Sequence, residues 1–152
     1  MDSGYRHPRA RGAHDRVRTI YYRQERHGGG IEMAKFAFMI NSAPGDPAPL
    51  ANNLEYASNL DEGGHEVAVF FDGQGTQWIP ELEGDTDSVA LEYYAEVRDR
   101  GLIGGACGFC ASFFEVDEEI ERAGIALDGG VENHGPDVSR LAEEGYQLIN
   151  VG

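Results

Sequence analysis

Short apolar runs alternate with amphipathic segments along the chain from Met33 to Gly152. Four of the runs have the length and continuous hydrophobicity that are typical of buried parallel strands. These predicted strands comprise residues 36–41, 66–71, 102–106 and 146–151. A shorter apolar run at 125–127 marks a fifth candidate strand. The pattern therefore predicts up to five strands with helical segments between them.

The segments between these runs carry apolar residues at the three- and four-residue spacing of amphipathic helices. The first segment contains Leu50, Leu54 and Ala57, has prolines suited to a first helical turn, and ends at Gly63–Gly64. Three later segments show the same spacing, at residues 90–97, 116–123 and 138–142. Residues 72–87 do not show it, and we expect a long polar loop there.

Regular alternation of strand and helix predicts an α/β fold with helices on both faces of a mostly parallel sheet. We therefore expect a three-layer α/β/α sandwich of the flavodoxin-like kind. A chain of 152 residues with 41% hydrophobic content supports one core, so residues 33–152 are expected to form a single domain. No apolar run approaches the roughly 20 residues that cross a bilayer, and no secretory signal is apparent. We expect a cytoplasmic protein without membrane contact.

Charge divides the chain at Met33. Residues 1–32 hold seven arginines and four acidic residues, net +3, whereas residues 33–152 hold five basic and 23 acidic residues, net −18. Lys35 is the only lysine. An acidic, lysine-poor surface is typical of a salt-rich cytoplasm, where screening weakens self-repulsion, and we expect a halophilic protein. The same charge argues against direct nucleic-acid binding, which requires basic patches.

Residues 1–32 show neither helical nor strand periodicity, and we predict a disordered basic extension. The run Gly28–Gly30 lies shortly before Met33, where its codons resemble a ribosome-binding sequence upstream of a start codon. We therefore expect Met33 to be the true start of the protein. A basic arm that binds nucleic acid is the alternative.

The two cysteines of the chain lie three residues apart in the run Gly-Gly-Ala-Cys-Gly-Phe-Cys-Ala, residues 104–111. Because the run follows the third predicted strand, both thiols are expected at the carboxyl edge of the sheet, where open α/β sheets bind ligands. Sulfur chemistry needs an accessible thiolate that nearby N–H groups stabilise. Gly105 and Gly108 are expected to shape a loop with such N–H groups around Cys107 and Cys110.

Other interpretations of the cysteine pair stay open at this point. Both residues can simply be buried in a strand, since free cysteine is among the most buried residue types. They can form a thiol–disulfide couple, although the motif is expected to follow the third strand rather than to open a helix after the first. A closed zinc site needs four ligands, and within residues 33–152 only His65 and His134 can join the pair, so no metal is predicted.

Two polar residues are secondary candidates at the same edge of the sheet. His134, on a loop before the last helix, is a residue that can assist a thiolate, and a solvated loop histidine is the alternative. Asn41 ends the first strand, where a small ligand can meet the sheet. That loop lacks a Ser/Thr-rich phosphate cradle, so neither FMN nor another cofactor is predicted. Four aromatic residues are expected in loops or at strand ends, in the core or at a subunit interface: Trp78, Phe109, Phe113 and Phe114.

The order of these features is similar to that of the DsrE/DsrF family of small sulfur-handling proteins. The resemblance rests on the first strand, the Phe-Phe-Asp-Gly end of the second, the Gly-Ala-Cys-Gly-Phe-Cys-Ala strand end, a short acidic helix and a closing helix–strand pair. It spans residues 33–152. It implies a flavodoxin-like fold and an oligomer, either a homotrimer or hexamer or an assembly with paralogous subunits.

The resemblance also implies a function. This family includes subunits that pass sulfur as a cysteine persulfide between donor and acceptor proteins, in sulfur oxidation and in tRNA thiolation. Their reactive cysteine ends the strand before the short helix, a position that the spacing to Val116 gives to Cys107, whereas Cys110 is shared by only some relatives. We therefore predict a sulfur-relay protein, a persulfide carrier of the sulfurtransferase type. A non-catalytic oligomeric subunit is the alternative within the family.

Overall fold

Five parallel strands form one sheet in residues 32–152, the part of the chain that this computed structural model describes. The strands are β1 Lys35–Ile40, β2 Glu66–Phe71, β3 Ile103–Cys107, β4 Leu127–Asp128 and β5 Tyr146–Val151. Their order across the sheet is β4-β3-β2-β1-β5, and all neighbours run parallel. The predicted flavodoxin-like α/β fold is confirmed. The prediction for residues 1–32 lies outside the described residues.

Six α-helices connect the strands in this part of the chain: α1 Pro47–Glu62, α2 Trp78–Glu83, α3 Leu91–Asp99, α4 Gly108–Phe113, α5 Asp117–Arg122 and α6 Val138–Glu143. The longest, α1, begins after Asp46, whose carboxylate accepts a hydrogen bond from the Ala48 N–H, and Pro47 occupies its first turn. Among residues 32–152, the helices are all too short or too polar to span a bilayer.

The two faces of the sheet are covered unequally. Side chains of β1 alternate between the faces, so that Phe38 and Ile40 join the larger core with α1 to α5, while Ala37 and Met39 pack with Leu141 of α6. Successive strands β1 to β4 advance in one direction, and the connection to β5 returns across the sheet. Because such crossovers are right-handed, the returning helix α6 lies on the opposite face.

The expectation of a polar loop at residues 72–87 is wrong for residues 73–83, whereas residues 84–87 do form a loop. A 3₁₀ helix at Gly73–Gln77 leads directly into α2, which buries Trp78 and Leu82 in the larger core. The indole Nε1–H of Trp78 donates to the carbonyl of Ser42 at 2.8 Å and ties this segment to the end of β1. Two helical pieces of five and six residues are too short to give a periodic signal, so tertiary burial decides their structure.

The expectation that the cysteine motif does not open a helix is also wrong in part. The motif does follow the third strand, but α4 begins at Gly108 without an intervening loop, so Phe109 is helical and Cys107 is the N-cap residue. The six residues of α4 include glycine, phenylalanine, cysteine and serine, which have modest helix propensity. The helix therefore depends on its packing against the sheet, which the sequence pattern does not reveal.

Candidate functional site

Cys107 and Cys110 stand at the junction of β3 and α4. Cys107 is the last residue of β3 and has no exposed surface, whereas Cys110, in the first turn of α4, is partly exposed. The Cys110 backbone N–H donates to Cys107 Sγ at 3.4 Å, the contact that an N-cap side chain makes with the third helical residue. Both thiols are free. The strand-to-helix junction thus supplies one N–H to the buried sulfur.

His134 joins the two cysteines from the loop between β4 and α6. Its Nδ1 lies 3.6 Å from Cys107 Sγ and 3.6 Å from Cys110 Sγ. The Phe109 ring packs against the imidazole with a centroid distance of 4.2 Å, which restricts the orientation of His134. The three polar atoms all lie within 4.8 Å of one another. Tertiary folding therefore completes a Cys-Cys-His cluster from distant parts of the chain.

Gly105 and Gly108 of the motif allow β4 and the loop after it to approach the cysteines. A Cβ atom at Gly108 would overlap the carbonyl of Gly130, and one at Gly105 would overlap the Asp128 carboxylate. Within residues 32–152, the backbone N–H that donates to Cys107 Sγ is that of Cys110 rather than that of a glycine. Close approach of β4 thus accounts for glycine at 105, and close approach of the loop after β4 accounts for glycine at 108. A direct effect of these glycines on a thiolate stays a prediction.

Asp72 is a neighbour of the cluster that the sequence analysis missed. It directly follows β2, the strand beside β3, and Cys110 Sγ donates to its Oδ1 at 3.6 Å. Parallel neighbouring strands end at the same edge of a sheet, so an acidic residue just after β2 was the available signal. The carboxylate gives the outer thiol a hydrogen-bond acceptor.

Burial raises the pKa of Cys110 to about 12, helped by its hydrogen bond with Cys107 and by the negative charges of Cys107 and Asp72. The Gly73 backbone N–H acts in the opposite direction but is outweighed. In the absence of a bound cation, Cys110 is therefore a thiol at neutral pH, which agrees with its donation of a hydrogen bond to Asp72.

Asp128 borders the cluster at the end of β4, where it is the sheet partner of Cys107. Its Oδ2 is buried and has no hydrogen-bond partner within residues 32–152, and burial raises the pKa of its carboxyl group. β4 itself comprises Leu127–Asp128, shorter and later than the predicted 125–127, because only these two residues pair with β3.

The other two candidates lie away from the cluster. Asn41 donates from Nδ2 to Asn150 Oδ1 at 2.6 Å and so links the ends of β1 and β5. His65 accepts a hydrogen bond at Nδ1 from the Ala34 N–H at 3.0 Å, just before β1, and packs edge-on against Phe36. That contact holds His65 at the amino edge of the sheet, opposite the cysteines. His134 is therefore the histidine that the fold brings to them.

Each basic side chain of residues 33–152 forms an ion pair with a carboxylate. Each of the five lies within 3.9 Å of an acidic side chain: Lys35, Arg98, Arg100, Arg122 and Arg140. Those pairs use a minority of the 23 acidic residues in 33–152. The cluster thus lies in a domain with a large excess of negative charge.

Fold and site together define a class, the small flavodoxin-like proteins with a free cysteine pair at the carboxyl end of a parallel strand. Within it, the sequence profile of the DsrE/DsrF-like family matches residues 34–151, and the chain belongs to this family, which is associated with sulfur relay. An uncharacterized protein of Methanocaldococcus jannaschii is 25% identical over 116 residues, which cover 76% of this chain and 90% of that protein.

Proposed function

We propose that this protein is a sulfur-relay carrier that holds sulfane sulfur as a persulfide on Cys107. The observation that carries the proposal is the environment of Cys107 Sγ, which has the Cys110 N–H at 3.4 Å and His134 Nδ1 at 3.6 Å. This arrangement occurs at the carboxyl edge of the sheet in a DsrE/DsrF-like chain. A cytoplasmic location suits it, because that compartment keeps thiols reduced.

Loading is a transfer between a thiolate and a donor persulfide. The Cys107 thiolate attacks the terminal sulfur of R–S–SH, the sulfur–sulfur bond of the donor breaks, and the donor leaves as the thiolate R–S⁻. The proton stays with the transferred sulfur, so Cys107 becomes Cys–S–SH. Unloading repeats the step, with an acceptor thiolate attacking the terminal sulfur of the Cys107 persulfide.

His134 and Cys110 have separate roles in this scheme. Nδ1 of His134 takes the Cys107 thiol proton before the attack, because it is the basic nitrogen within reach of that sulfur. Cys110 can end the cycle once its thiol proton has passed to a base, and His134 Nδ1 at 3.6 Å is within reach of Cys110 Sγ. The Cys110 thiolate then attacks Cys107 Sγ, which forms the Cys107–Cys110 disulfide and releases hydrogen sulfide. Gly105 and Gly108 support the site because they let β4 and the loop after it, respectively, approach the cysteine motif.

Access to Cys107 requires a local movement. Cys107 is fully buried, while the exposed His134 and the partly exposed Cys110 stand over it. A donor therefore reaches Cys107 Sγ only after a local movement of the groups that cover it, which include the first turn of α4 and the loop of His134. Because His134 lies on a surface loop, its displacement leaves the strands intact.

The test uses intact-mass analysis after incubation of the reduced protein with a small-molecule persulfide. We expect a stable gain of one sulfur, about 32 Da, in Cys110→Ala and none in Cys107→Ala. The wild type should gain the same sulfur and then lose it, together with about two hydrogens, as Cys110 forms the disulfide. His134→Ala should load more slowly by about 10²-fold, the usual contribution of a positioned base. A donor thiol without sulfane sulfur provides the control and should leave the mass unchanged.

A thiol–disulfide couple is the second candidate, favoured by the N-cap position of Cys107 and the proximity of the two sulfurs. It predicts a loss of about two hydrogens on oxidation and an equal requirement for both cysteines. Loading on Cys110 alone contradicts the carrier role of Cys107. If neither cysteine reacts in the folded protein, both are structural and the sulfur-relay proposal fails.

Relay also requires partners, and we propose a homo-oligomer, a trimer or hexamer, or an assembly with paralogous subunits. The exposed face of α4 supports this, because Phe113 is 73% exposed and its ring packs edge-on against Phe114 next to the site. A large exposed aromatic side chain is typical of subunit interfaces. Donor and acceptor proteins then meet Cys107 at the same edge.

A further inference from the structure

We infer that Cys107, Cys110 and His134 form a binding site for Zn²⁺ with three protein ligands and an open fourth position. The inference goes beyond sulfur relay, since it concerns a metal ion that the relay chemistry does not need. Two thiolates and one imidazole are a ligand set that suits zinc, and soft sulfur ligands select it over magnesium or calcium.

The distances fit a tetrahedral zinc ion. Zinc bonds are about 2.3 Å long to sulfur and about 2.0–2.1 Å long to nitrogen. At the tetrahedral angle, these bond lengths place a sulfur ligand and a nitrogen ligand about 3.6 Å apart. His134 Nδ1 lies 3.6 Å from Cys107 Sγ and 3.6 Å from Cys110 Sγ. All three atoms lie within 4.8 Å of one another. The cluster thus presents the edges of a coordination tetrahedron with little rearrangement.

Asp72 is the carboxylate that contacts the cluster, and it is a neighbour for a group bound at the fourth position. Its Oδ1 lies 3.6 Å from Cys110 Sγ but outside the group whose members are all within 4.8 Å of one another. A water molecule or a small ligand on zinc can occupy the space between them, with the carboxylate as its hydrogen-bond acceptor. Three protein ligands and one exchangeable position are typical of zinc sites that bind small molecules, as opposed to closed structural sites.

The charge distribution of the domain also favours a bound cation at the cluster. The five basic side chains of residues 33–152 are engaged with carboxylates, so a bound cation is the available partner for two thiolates at the cluster. Binding releases the two thiol protons, because Zn²⁺ takes the place of both, and a coordinating thiol is deprotonated outright. The Phe109 ring holds the imidazole near both sulfurs, as the residues around a metal site commonly do.

The test titrates the full-length reduced protein with Co²⁺ under anaerobic conditions and then adds Zn²⁺. Cobalt is the probe because residues 1–32 contain three further histidines that can bind metal, His7, His14 and His27. Only cysteine ligands give a thiolate-to-cobalt charge-transfer band. We expect this band together with the visible bands of tetrahedral cobalt, at one ion per chain, and their loss when one equivalent of zinc is added.

Single variants assign the ligands. Cys107→Ser, Cys110→Ser and His134→Ala should each weaken cobalt and zinc binding at least tenfold, whereas His65→Ala, a matched control at the opposite edge, should bind like the wild type. Because His134 is exposed, its variant is expected to fold, and thermal unfolding checks this for all four proteins. Absence of the thiolate band, or an equal band in His134→Ala, would overturn the site.

These experiments test zinc binding and sulfur relay independently, so either proposal can be contradicted without the other. Cobalt and zinc are titrated without any sulfur donor, and sulfur loading is measured in a metal-free buffer. If both properties are present, zinc on the two thiolates excludes a persulfide on Cys107, a consequence that rests on the proposed function.

Discussion

At the scale of single residues, the two cysteines differ in their surroundings although they are three positions apart. Cys107 is enclosed by the sheet, its own helix cap and the His134 loop, whereas Cys110 faces Asp72 and partly faces solvent. This division suits the roles that we propose, with the inner thiol as carrier and the outer one as resolving thiol. Asp128, the sheet partner of Cys107, adds a half-buried carboxyl group whose Oδ2 makes no hydrogen bond within residues 32–152.

Asp128→Asn should stabilise the protein at neutral pH, because it replaces a desolvated carboxylate with a neutral amide. Burial raises the pKa of Asp128 in the folded state. The charged carboxylate therefore does not destabilise the fold below the ordinary aspartate pKa, where it is protonated in both states. The destabilisation develops as pH rises from that ordinary pKa through the raised pKa of the folded state. We expect a gain of about 1 kcal/mol in the free energy of unfolding at pH 7, and none near pH 3.

Chemical denaturation at both pH values measures this difference. Asp85→Asn, at an exposed position of the same acidic domain, is the matched control and reports the general effect of removing one negative charge. Equal stabilisation by the two substitutions at pH 7 would mean that the burial of Asp128 contributes nothing.

At the scale of elements, the junction of β3 and α4 positions most of the site. β3 delivers Cys107 to the carboxyl edge of the sheet, and the first turn of α4 carries Phe109 and Cys110. The outer side of the same short helix presents Phe113 to solvent. One six-residue helix therefore links the sulfur cluster to the proposed subunit interface.

Phe113→Ser should weaken the proposed oligomer because it removes an exposed aromatic ring next to the site. Light scattering coupled to size-exclusion chromatography, at constant salt, should show a lower mean mass for the variant than for the wild type. Val89→Ser is the matched control, since Val89 is 65% exposed and lies outside α4. A monomeric wild type, or an oligomer that Phe113→Ser leaves intact, would contradict the proposal.

At the scale of the whole molecule, charge is the dominant feature. Residues 33–152 carry a net charge of −18, and their five basic side chains are each paired with carboxylates on the surface. Exposed pairs of this kind contribute little to stability, roughly 0–1 kcal/mol each. The repulsion among the remaining acidic side chains is therefore reduced mainly by dissolved salt.

Stability should therefore rise with salt. At tens of millimolar salt the Debye length approaches about 30 Å and the excess charges repel across the whole domain, whereas molar salt shortens it to about 3 Å. We expect the thermal unfolding midpoint to fall steeply as potassium chloride is diluted. Sucrose at matched osmolarity should not replace the salt, and a midpoint independent of salt would remove the halophilic interpretation.

The sequence by itself determined the order of the strands along the chain and the parallel α/β class of the fold. Its apolar runs matched β1, β2, β3 and β5, because buried parallel strands need continuous hydrophobicity that is visible without any tertiary contact. The spacing of Cys107 and Cys110 likewise placed both thiols at the carboxyl edge. Short helices such as α2 and α4 escaped detection, since six residues give too little periodicity and their burial comes from distant neighbours.

Only the tertiary structure decided which partners the cysteines have. His134 and Asp72 are far from them in sequence, and contact depends on how the loop after β4 folds over Gly108 and on which strand lies beside β3. Neither feature leaves a local pattern in the chain. His134 was a candidate already, from its place on a loop before the last helix, but its contact with both sulfurs comes from the fold. The fold keeps His65 apart because it precedes a strand whereas His134 follows one, which places them at opposite edges of a parallel sheet.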